Sequence, residues 1–521
     1  MKVQLNIRDY LDRAVAVYGD RVGVIDEPDQ PAPSLGSLTY SEIGDHARAL
    51  AAGLDALGVG PGERVAVVSQ NSARLLIAFF GVSGWGRVLV PINFRLHAEE
   101  IRYIVQHSGA TVFLIDPELA VDLDDIDCQH KFVIGGESDA ALLKFGVAPQ
   151  PWPSDEDATA TINYTSGTTA RPKGVQCTHR SLWLNAAMFG WQAGVNDRDV
   201  YLHTLPMFHC NGWGHVYAAT GMGATHVVLR KVDGAEILRR IDRHKVTYLC
   251  GAPAVGAMIL DAAATGWTSD STQLEPVPGR DRVRMIMAGA PPPTQTIERV
   301  EVELGWEFIQ IYGLTETSPL LTMSRGRAEW DDLTSLERAA KLSRAGAPAL
   351  GVDLRIDSNG EIIARSNHVL EGYWEQPEAT AEAILDGFFH TGDGGTLDED
   401  GYLRISDRKK DVIISGGENV SSIEVEDTLY SHPSVAEVAV IGVPSEKWGE
   451  TVKALVVLEP GIERTPETEV ELIQWCRDHL AHYKCPTSIE LRAELARTAT
   501  GKLQKFKLRS PYWEGRDRQI G

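Results

Sequence analysis

Residues 164–175 read YTSGTTARPKGV and directly follow a strand-like stretch, ATIN. The segment is rich in hydroxyls, glycine and backbone N–H groups, and Lys173 adds a positive charge, so it can wrap a polyphosphate. A P-loop requires the pattern G-x-x-x-x-G-K-[ST]. Counted from Gly167, however, Pro172 stands in the place of the second glycine and Gly174 in the place of the hydroxyl residue. We therefore expect a phosphate-binding loop of another type, in preference to a flexible linker.

Apolar runs that are typical of strands alternate with helical patterns along most of the chain. Arg64–Ser69 is followed by the helical pattern of Ala73–Phe80, and Tyr248–Gly251 by that of Ala254–Leu260. This alternation indicates parallel sheets covered by helices. The 521 residues are enough for about three domains. We expect an α/β fold with a large N-terminal body of parallel and mixed sheets covered by helices.

The sequence changes character towards its C-terminal end. Asp398–Gly401 indicates a hairpin turn. Ser421 and Glu424 have capping-box spacing, and two strand-like runs and an amphipathic helix follow. These features predict a small, mobile C-terminal α+β domain. We therefore divide the chain into residues 1–406 and residues 407–521.

The charge and the cysteines exclude several classes of protein. Lys and Arg number 50 and Asp and Glu 72, which gives a formal net charge of −22. Broad binding to nucleic acid or to an anionic membrane needs positive charge, so we expect neither. The six cysteines never form a C-x-x-C pair, which argues against a zinc ribbon and against a disulfide framework. The sequence leaves homo-oligomer formation open.

Two segments bear on localisation. Val200–Leu229 contains no Asp, Glu, Lys or Arg, but Pro206, Asn211 and four histidines make it unsuited to lipid. Met1–Asp20 has charged residues among its apolar positions and lacks the apolar core of a signal peptide. We expect a buried wall at the first segment and an amphipathic surface helix at the second. The prediction is a cytoplasmic protein with no integral membrane segment.

Two acidic motifs lie downstream of the quoted loop. Glu316 stands between Thr315 and Thr317, and a carboxylate beside hydroxyls suits Mg²⁺ bound to phosphate oxygens. Taken alone, this motif is better interpreted as a helix N-terminus, with Thr315 as the cap and Glu316 in the first turn. Asp393 ends a Thr-Gly-Asp motif and can accept two ribose hydroxyls, although a simple turn is the common alternative.

Two further motifs near the C-terminus contain glycine. The glycine pair in Ser415–Val420 lets a ligand chain pass close to the backbone. Lys502 follows a glycine, and a mobile ammonium there can be delivered for one reaction step and withdrawn for the next. Terminal lysines and charged runs such as 407–411 are more often simply solvated. The chain has no G-x-S-x-G nucleophile elbow.

In this order the motifs resemble those of the adenylate-forming superfamily, which includes acyl- and aryl-CoA synthetases, luciferases and nonribosomal adenylation domains. The resemblance extends from about Thr165 to Lys505. It departs at Ala170, where the family usually has glycine, at Ala496, where most members have proline, and at Asn419, where some long-chain relatives have tryptophan.

The resemblance implies an ATP-dependent acid–thiol ligase, an acyl-CoA synthetase. Such an enzyme converts a carboxylic acid to acyl-AMP, releases pyrophosphate, and then forms a thioester with coenzyme A and releases AMP. ATP, Mg²⁺, CoA and a small-molecule carboxylic acid are the expected ligands. Transfer of the acyl group to a carrier protein or to another nucleophile is the alternative. An inactive, ligand-sensing relative is disfavoured because the charged motif residues are intact.

The resemblance also implies a role for each motif residue. Thr315 contacts the α-phosphate, Tyr312 stacks on adenine, and Asp393 and Arg408 contact the ribose. Residues expected to bind ATP or AMP are Thr165, Ser166, Gly167, Thr168, Thr169, Lys173, Gly289, Ala290, Pro291, Tyr312, Gly313, Thr315, Asp393 and Arg408. Residues expected to hold Mg²⁺ are Thr165 and Glu316, and those with catalytic roles are Lys502, Thr315 and Glu316.

The remaining implied roles concern CoA and the acid. CoA is expected to pass Ser415, Gly416, Gly417 and Glu418, and the small domain to rotate about a hinge at Lys410. The acyl pocket is expected to include His209, Trp213 and Gly313, for which a core histidine and a packed indole are the plainer interpretation. Amino-acid-activating relatives carry an aspartate in the segment that corresponds to 205–213, and this chain has none. We therefore expect an acid without an α-amine.

Overall fold

A computed structural model describes residues 1–165, 171–267, 276–408, 413–415, 418–445, 449–497 and 503–514. Within these ranges the strands form four sheets, which we number I to IV. In chain order the strands are β1 (Val22–Ile25), β2 (Ser37–Thr39), β3 (Arg64–Val68), β4 (Val88–Ile92), β5 (Ala110–Ile115), β6 (His130–Val133), β7 (Thr159–Thr165), β8 (Lys173–Thr178), β9 (Val200–His203), β10 (Thr225–Val228), β11 (Tyr248–Gly251), β12 (Arg284–Met287), β13 (Glu307–Gly313), β14 (Leu320–Arg325), β15 (Ala347–Pro348), β16 (Asp353–Ile356), β17 (Glu361–Arg365), β18 (Gly372–Tyr373), β19 (Ile384–Leu385), β20 (Phe388–Leu397), β21 (Leu403–Arg408), β22 (Ile413–Ser415), β23 (Glu418–Val420), β24 (Val435–Ser445), β25 (Gly449–Leu458) and β26 (Ser488–Leu491).

Several of the α-helices begin at capping residues that the sequence supplies. Thr39 and Glu42 form a capping box at the start of the second helix, because the Thr39 hydroxyl accepts from Glu42 N and the Glu42 carboxylate accepts from Thr39 N. In chain order the helices are α1 (Arg8–Tyr18), α2 (Tyr40–Ala56), α3 (Ala73–Gly81), α4 (Ala98–Ser108), α5 (Glu137–Leu142), α6 (His179–Ala193), α7 (His215–Met222), α8 (Gly234–His244), α9 (Pro253–Thr265), α10 (Thr294–Arg299), α11 (Ser335–Leu342), α12 (Pro377–Ala383), α13 (Ser422–Tyr430), α14 (Pro466–His479) and α15 (Lys505–Trp513).

Sheets I and II form the N-terminal body. Sheet I has the strand order β18-β8-β7-β4-β3-β5-β6, and sheet II has the order β15-β14-β13-β12-β11-β9-β10-β1-β2. Sheet II has a parallel centre and antiparallel pairs at both edges. Sheet I is antiparallel where β18, β8 and β7 pair and parallel from β7 to its other edge at β6. Leu50 of α2, Phe80 of α3, Val67 of β3 and Tyr217 of α7 belong to one buried cluster that joins the two sheets. The carboxyl ends of parallel strands are where α/β proteins bind ligands.

Sheets III and IV are smaller. Sheet III is antiparallel, in the order β16-β17-β20-β19 with β21 beside β20. Sheet IV lies after residue 412, in the order β23-β22-β25-β24 with β26 parallel to β25. Val425 and Leu429 of α13 and Leu472 of α14 pack on sheet IV in a separate buried cluster.

The α/β fold with a small C-terminal unit is confirmed. The predicted hairpin at Asp398–Gly401 is also confirmed, since Leu397 of β20 lies opposite Leu403 of β21. Ser421 caps α13 as expected, because its hydroxyl accepts from Glu424 N. The division of the chain after residue 406 stays a prediction, and β21 continues across it to residue 408.

The two segments that bear on localisation, Val200–Leu229 and Met1–Asp20, both pack within the N-terminal body. Residues 200–229 form β9, a tight turn, α7 and β10, and nearly all of them are buried. Residues 8–18 form α1, which buries Leu11 and Ala14 and exposes most of its other side chains. Within the described part of the chain, no helix combines the length and the apolar character that crossing a membrane requires.

One face of sheet II buries several histidines. His203 Nε2 lies 2.9 Å from His226 Nδ1, and the ring of His215 packs 5.5 Å from the ring of Tyr201. Neither ring nitrogen of His215 has a hydrogen-bond partner among the described residues. Burial, together with the smaller effect of the positive charge of Arg284, lowers the pKa of His215 to about 3. In mild acid the His215 imidazole therefore stays neutral in the folded protein, whereas it becomes protonated in the unfolded chain.

This burial predicts a loss of stability in mild acid. Between the unfolded pKa of about 6.5 and the folded pKa of about 3, the unfolded state binds a proton that the folded state does not, so stability falls as pH falls. At pH 5 the His215 contribution is about 2 kcal/mol. Chemical denaturation at pH 7.5 and pH 5 should show that His215→Phe loses about 2 kcal/mol less than the parent. The exposed His482, changed to Asn, is the control. An equal loss in parent and His215→Phe would contradict the prediction.

Candidate active site

The β7–β8 hairpin presents the quoted loop. Thr165 ends β7, Lys173 begins β8, and the two residues lie opposite each other in the antiparallel register. The Thr165 hydroxyl donates to the Lys173 carbonyl at 3.5 Å. The hairpin therefore fixes the two ends of the loop side by side. The predicted loop residues Ser166, Gly167, Thr168 and Thr169 lie outside the described residues.

Lys173 and Glu316 are connected through a tyrosine that the sequence analysis did not single out. The Lys173 Nζ lies 4.9 Å from the centre of the Tyr373 ring, and the Tyr373 hydroxyl donates to Glu316 Oε1 at 2.9 Å. All three side chains are half-buried. The phosphate-loop lysine and the predicted metal-binding carboxylate therefore share one neighbour.

Thr315 and Glu316 lie in a single tight turn between β13 and β14. Residues Thr315–Thr317 form one 3₁₀ turn, and the Thr317 hydroxyl accepts from Leu314 N at 2.9 Å. An α-helix N-terminus, the alternative interpretation of this motif, is therefore not what the structure has. The Thr315 hydroxyl lies 3.0 Å from the sulfur of Cys210.

Gly313 is required where this turn leaves β13. A Cβ atom on Gly313 would lie 1.6 Å from the carbonyl oxygen of Pro319. Because that neighbour is backbone, a side chain at position 313 would push the turn away from the strand. Gly313 therefore serves at least to let the Thr315–Thr317 turn fold back against β13.

Tyr312 and Asp393 are brought together from different sheets. The Tyr312 hydroxyl donates to Asp393 Oδ2 at 2.8 Å, and both side chains are buried. Glu361 holds the neighbouring backbone, since its carboxylate accepts from Gly392 N at 2.8 Å. Asp393 also lies opposite Arg408 in the β20–β21 register. The Thr-Gly-Asp motif is thus a strand segment beside Tyr312, and the simple-turn interpretation does not apply.

The segment that was predicted to line the acyl pocket has an unusual backbone. Four successive residues, Cys210, Asn211, Gly212 and Trp213, have φ between 47° and 58°, in the left-handed region that non-glycine residues rarely adopt. Buried hydrogen bonds hold them: Asn211 Nδ2 donates to Thr161 Oγ1 and to Asn163 Oδ1, both at 3.0 Å.

The two predicted pocket side chains differ in burial. Trp213 is only 4% exposed and belongs to a buried cluster with Cys210. His209, the residue before the left-handed segment, is half-buried. The bonds from Asn211 to Thr161 and Asn163 hold this segment against β7, whose last residue, Thr165, begins the hairpin loop.

The loop after β12 also lies at the carboxyl edge of sheet II. Gly289 has a φ of 92°, and Gly289, Ala290 and Pro291 are at least partly exposed. The loop ends at Thr294, where the backbone N and the hydroxyl both donate to the Asp427 carboxylate of α13, at 2.9 and 3.1 Å. The C-terminal domain therefore touches the body at this loop.

The structure describes the remaining predicted residues only in part. Ser415 ends β22 and lies opposite Glu418 of β23 in sheet IV. Gly416 and Gly417, together with Lys410 and Lys502, lie outside the described residues. The structure therefore brings together Thr165, Lys173, Thr315, Glu316, Tyr312 and Asp393, through the contacts given above.

The donor set fits a hard cation. Thr165 offers a hydroxyl and Glu316 a carboxylate, and oxygen ligands of this kind are those that Mg²⁺ prefers. A second group of titratable side chains, Asp357, Glu361 and His390, also places ligand atoms within 4.8 Å of one another. Both carboxylates of that group accept backbone N–H bonds, from Asn359, Glu361 and Gly392. Their geometry is explained by these bonds without a cation.

Comparison with known proteins identifies the family. The family of AMP-binding enzymes matches residues 11–374, and the AMP-binding enzyme C-terminal domain matches residues 424–502. The 2-methylpropanoate–CoA ligase of Humulus lupulus is 36% identical over 96% of this chain and 94% of that protein. The 4-hydroxybutyrate–CoA ligase of Metallosphaera sedula is 37% identical over 96% of this chain and 93% of that protein.

A solved structure has the same fold. The O-succinylbenzoate CoA synthetase of Bacillus subtilis, in complex with ATP and magnesium ion, superposes with a TM-score of 0.78 and 27% sequence identity over 96% of this chain and 99% of that chain. The match covers both the body and the C-terminal domain. The chain belongs to the AMP-binding enzymes, and it is an acid–CoA ligase that activates a carboxylic acid as acyl-AMP and forms a thioester with CoA.

Proposed function

We propose that the enzyme uses ATP and Mg²⁺ to activate a short aliphatic carboxylic acid that lacks an α-amine. The observation that carries this proposal is the convergence of the hairpin, the Thr315–Thr317 turn and the Tyr312–Asp393 pair, which come from distant parts of the chain. Together they offer a cation, hydroxyls, a carboxylate and an aromatic ring, which are the groups that a nucleotide and its phosphates need.

This placement supports the following roles in binding the nucleotide. Tyr312 and the loop of Gly289, Ala290 and Pro291 flank the adenine, and Gly313 lets the chain approach it. Asp393 accepts the ribose hydroxyls, with Arg408 opposite it on β21. The phosphates lie in the loop of Thr165, Ser166, Gly167, Thr168, Thr169 and Lys173, near the Thr315 hydroxyl.

Thr165 and Glu316 would hold the magnesium ion. When bound, the ion neutralises charge on the phosphate oxygens. A solved structure of a relative holds ATP and magnesium ion, which supports the use of both by this enzyme. In this chain the Glu316 carboxylate is already oriented by a hydroxyl donor at 2.9 Å, as carboxylate ligands of metals usually are.

In the first step one oxygen of the substrate carboxylate attacks the α-phosphorus. The bond between that phosphorus and the bridging oxygen breaks, and pyrophosphate leaves with the electron pair. Lys173, Thr315 and Lys502 stabilise the charge on the transferring phosphoryl group, and no protein nucleophile is needed. The product is a mixed anhydride, whose carbonyl is a far better electrophile than the carboxylate.

In the second step the CoA thiol attacks that carbonyl. The thiol proton is lost, the carbon–oxygen bond to the phosphate breaks, and AMP leaves. The pantetheine chain passes Ser415, Gly416, Gly417 and Glu418. Rotation of the C-terminal domain about Lys410 moves Lys502 out of the site after the first step and brings this loop into it. Domain rotation of this kind is a common way to use one site for two steps.

The nature of the acid follows from the left-handed segment and from the relatives. Residues 205–213 contain no aspartate to pair with an α-ammonium. Trp213 is buried, so its indole fills space that a long acyl chain would need. The two curated relatives described above are named for 2-methylpropanoate and 4-hydroxybutyrate, which are both short aliphatic acids.

A panel of acids tests the function directly. The purified enzyme, supplied with ATP, Mg²⁺ and CoA, should turn over straight and branched acids of about two to six carbons at the highest kcat/KM. AMP, pyrophosphate and the thioester should appear in equal amounts, as measured by chromatography. Formation of ADP and phosphate, or a preference for long-chain or α-amino acids, would contradict the proposal.

Replacement of Lys502 should slow adenylation. In Lys502→Ala, loss of a charge that contacts the transition state is expected to reduce the rate of acyl-AMP formation by about 10²–10³-fold. Pyrophosphate release in a single turnover without CoA measures this rate. Lys507→Ala, which removes an exposed lysine of α15, is the matched control and should behave as the parent. An unchanged rate in Lys502→Ala would show that Lys502 does not have this role.

Replacement of Trp213 should admit longer acids. Trp213→Ala removes a buried indole, so the preferred acid should lengthen by about two to four carbons. The ratio of kcat/KM for octanoate to kcat/KM for butanoate measures the change. Trp191→Ala is the control, because Trp191 is 69% exposed on α6. An unchanged ratio in Trp213→Ala would mean that Trp213 does not limit chain length.

A further inference from the structure

Residues 370–374, which we call the strap, cross from the Thr315–Thr317 turn to the β7–β8 hairpin. The strap begins at Leu370, whose N–H donates to the Glu316 carbonyl at 2.7 Å. It ends at Trp374, whose N–H donates to the Gly174 carbonyl at 2.7 Å. Between them, β18 pairs with β8, with Tyr373 opposite Val175. The strap is thus bonded at one end to Glu316 and at the other beside Lys173.

Tyr373 repeats this connection with its side chain. Its hydroxyl donates to Glu316 Oε1 at 2.9 Å, and the face of its ring lies 4.9 Å from Lys173 Nζ. Hydrogen bonds to a charged acceptor are stronger than neutral ones, and an ammonium is attracted to the face of an aromatic ring. One side chain therefore orients an anion with its hydroxyl and a cation with its ring.

Tyr373 is itself held firmly enough to orient others. Its backbone N–H donates to the Thr380 hydroxyl at 2.9 Å, and that hydroxyl donates to the Gln376 carbonyl at 2.9 Å. The phenolic O–H is the donor in its pair with Glu316, because an ionised carboxylate can only accept hydrogen bonds.

We propose that Tyr373 is a positioning residue that sets the metal-binding orientation of Glu316 and the phosphate-binding orientation of Lys173. This inference rests on the proposed function, because it takes Glu316 as a ligand of Mg²⁺. A bond from the phenol to one oxygen stops the carboxylate from rotating, and a carboxylate has further lone pairs with which to bind a cation. Such outer partners of a metal ligand typically contribute 10–100-fold to metal affinity.

Two variants separate the two contacts. Tyr373→Phe removes the hydroxyl and keeps the ring, whereas Tyr373→Leu removes both. The probe is Mn²⁺, whose binding to the enzyme with a non-cleavable α,β-methylene ATP analogue is followed by electron paramagnetic resonance. Calorimetric titration of the same analogue without metal reports on Lys173 separately. Neither measurement depends on turnover.

We expect Tyr373→Phe to weaken Mn²⁺ binding about 10-fold and to change the metal-free affinity for the analogue less than twofold. Tyr373→Leu should weaken both. Trp374→Phe is the matched control, because it removes a hydrogen bond from the same strap, to the His107 carbonyl at 3.2 Å, and keeps an aromatic ring. It should leave Mn²⁺ affinity unchanged. An equal loss in Trp374→Phe and Tyr373→Phe would mean that the strap is merely loosened, which would overturn the proposal.

Glu316→Gln distinguishes failure of this inference from failure of the proposed function. If Glu316→Gln binds Mn²⁺ as the parent does, the metal assignment is wrong, and this inference falls with it. If Glu316→Gln weakens Mn²⁺ binding but Tyr373→Phe does not, only the role of Tyr373 is wrong. If both weaken it and the double variant is no worse than Glu316→Gln alone, the phenol acts through Glu316 as proposed.

Discussion

A pair of buried amides joins the two halves of the site. Asn163 of β7 donates to Asn211 Oδ1 at 3.2 Å, and Asn211 donates back to Asn163 Oδ1 at 3.0 Å. Asn163 belongs to sheet I, and Asn211 follows a strand of sheet II. The pair therefore fixes the phosphate hairpin relative to the segment that carries Trp213. Loss of either amide would remove both bonds of the pair and leave the other amide only partly satisfied, through Thr161, at a cost of about 1–3 kcal/mol.

Further contacts extend outward from this pair. The hairpin carries Lys173, the strap crosses from it to Glu316, and the Thr315 hydroxyl returns to Cys210, beside Asn211. These residues come from four separate stretches of the chain: the hairpin, the strap, the Thr315–Thr317 turn and the left-handed segment. Together with the amide pair they form a closed ring of contacts, so movement of any member displaces its neighbours. Such mutual support is how a protein holds several groups within a few tenths of an ångström.

The parts that were predictable from sequence are those with a local signal. Alternating strand and helix patterns indicated the α/β body, Asp398–Gly401 indicated a hairpin, and Ser421 indicated a helix start. The loop at 164–175 was recognisable because its hydroxyls, glycines and lysine are adjacent in the chain. Its placement between two antiparallel strands follows from the strand-like residues on either side.

Other parts had no local signal. Tyr373 lies in a two-residue strand, and Cys210 lies in a left-handed turn, so neither belongs to a periodic pattern. Their contacts with Glu316 and Thr315 arise because segments far apart in sequence cross in the folded protein. The bond between Thr294 and Asp427 is of the same kind, since it joins the body to the C-terminal domain over 133 residues. The spacing of residues along the chain does not predict contacts between segments that are distant in sequence.

The left-handed backbone of residues 210–213 restricts the substitutions that mutagenesis of this segment can introduce. Positive φ angles are tolerated by glycine and by asparagine, and β-branched residues fit them worst. Substitution of β-branched residues at these four positions is therefore expected to destabilise the segment, whatever acid is used for selection. Codons for side chains that pack against the segment from regular helices, such as Phe189 of α6, carry no such restriction. Attempts to change the acid that the enzyme prefers are better begun at such positions.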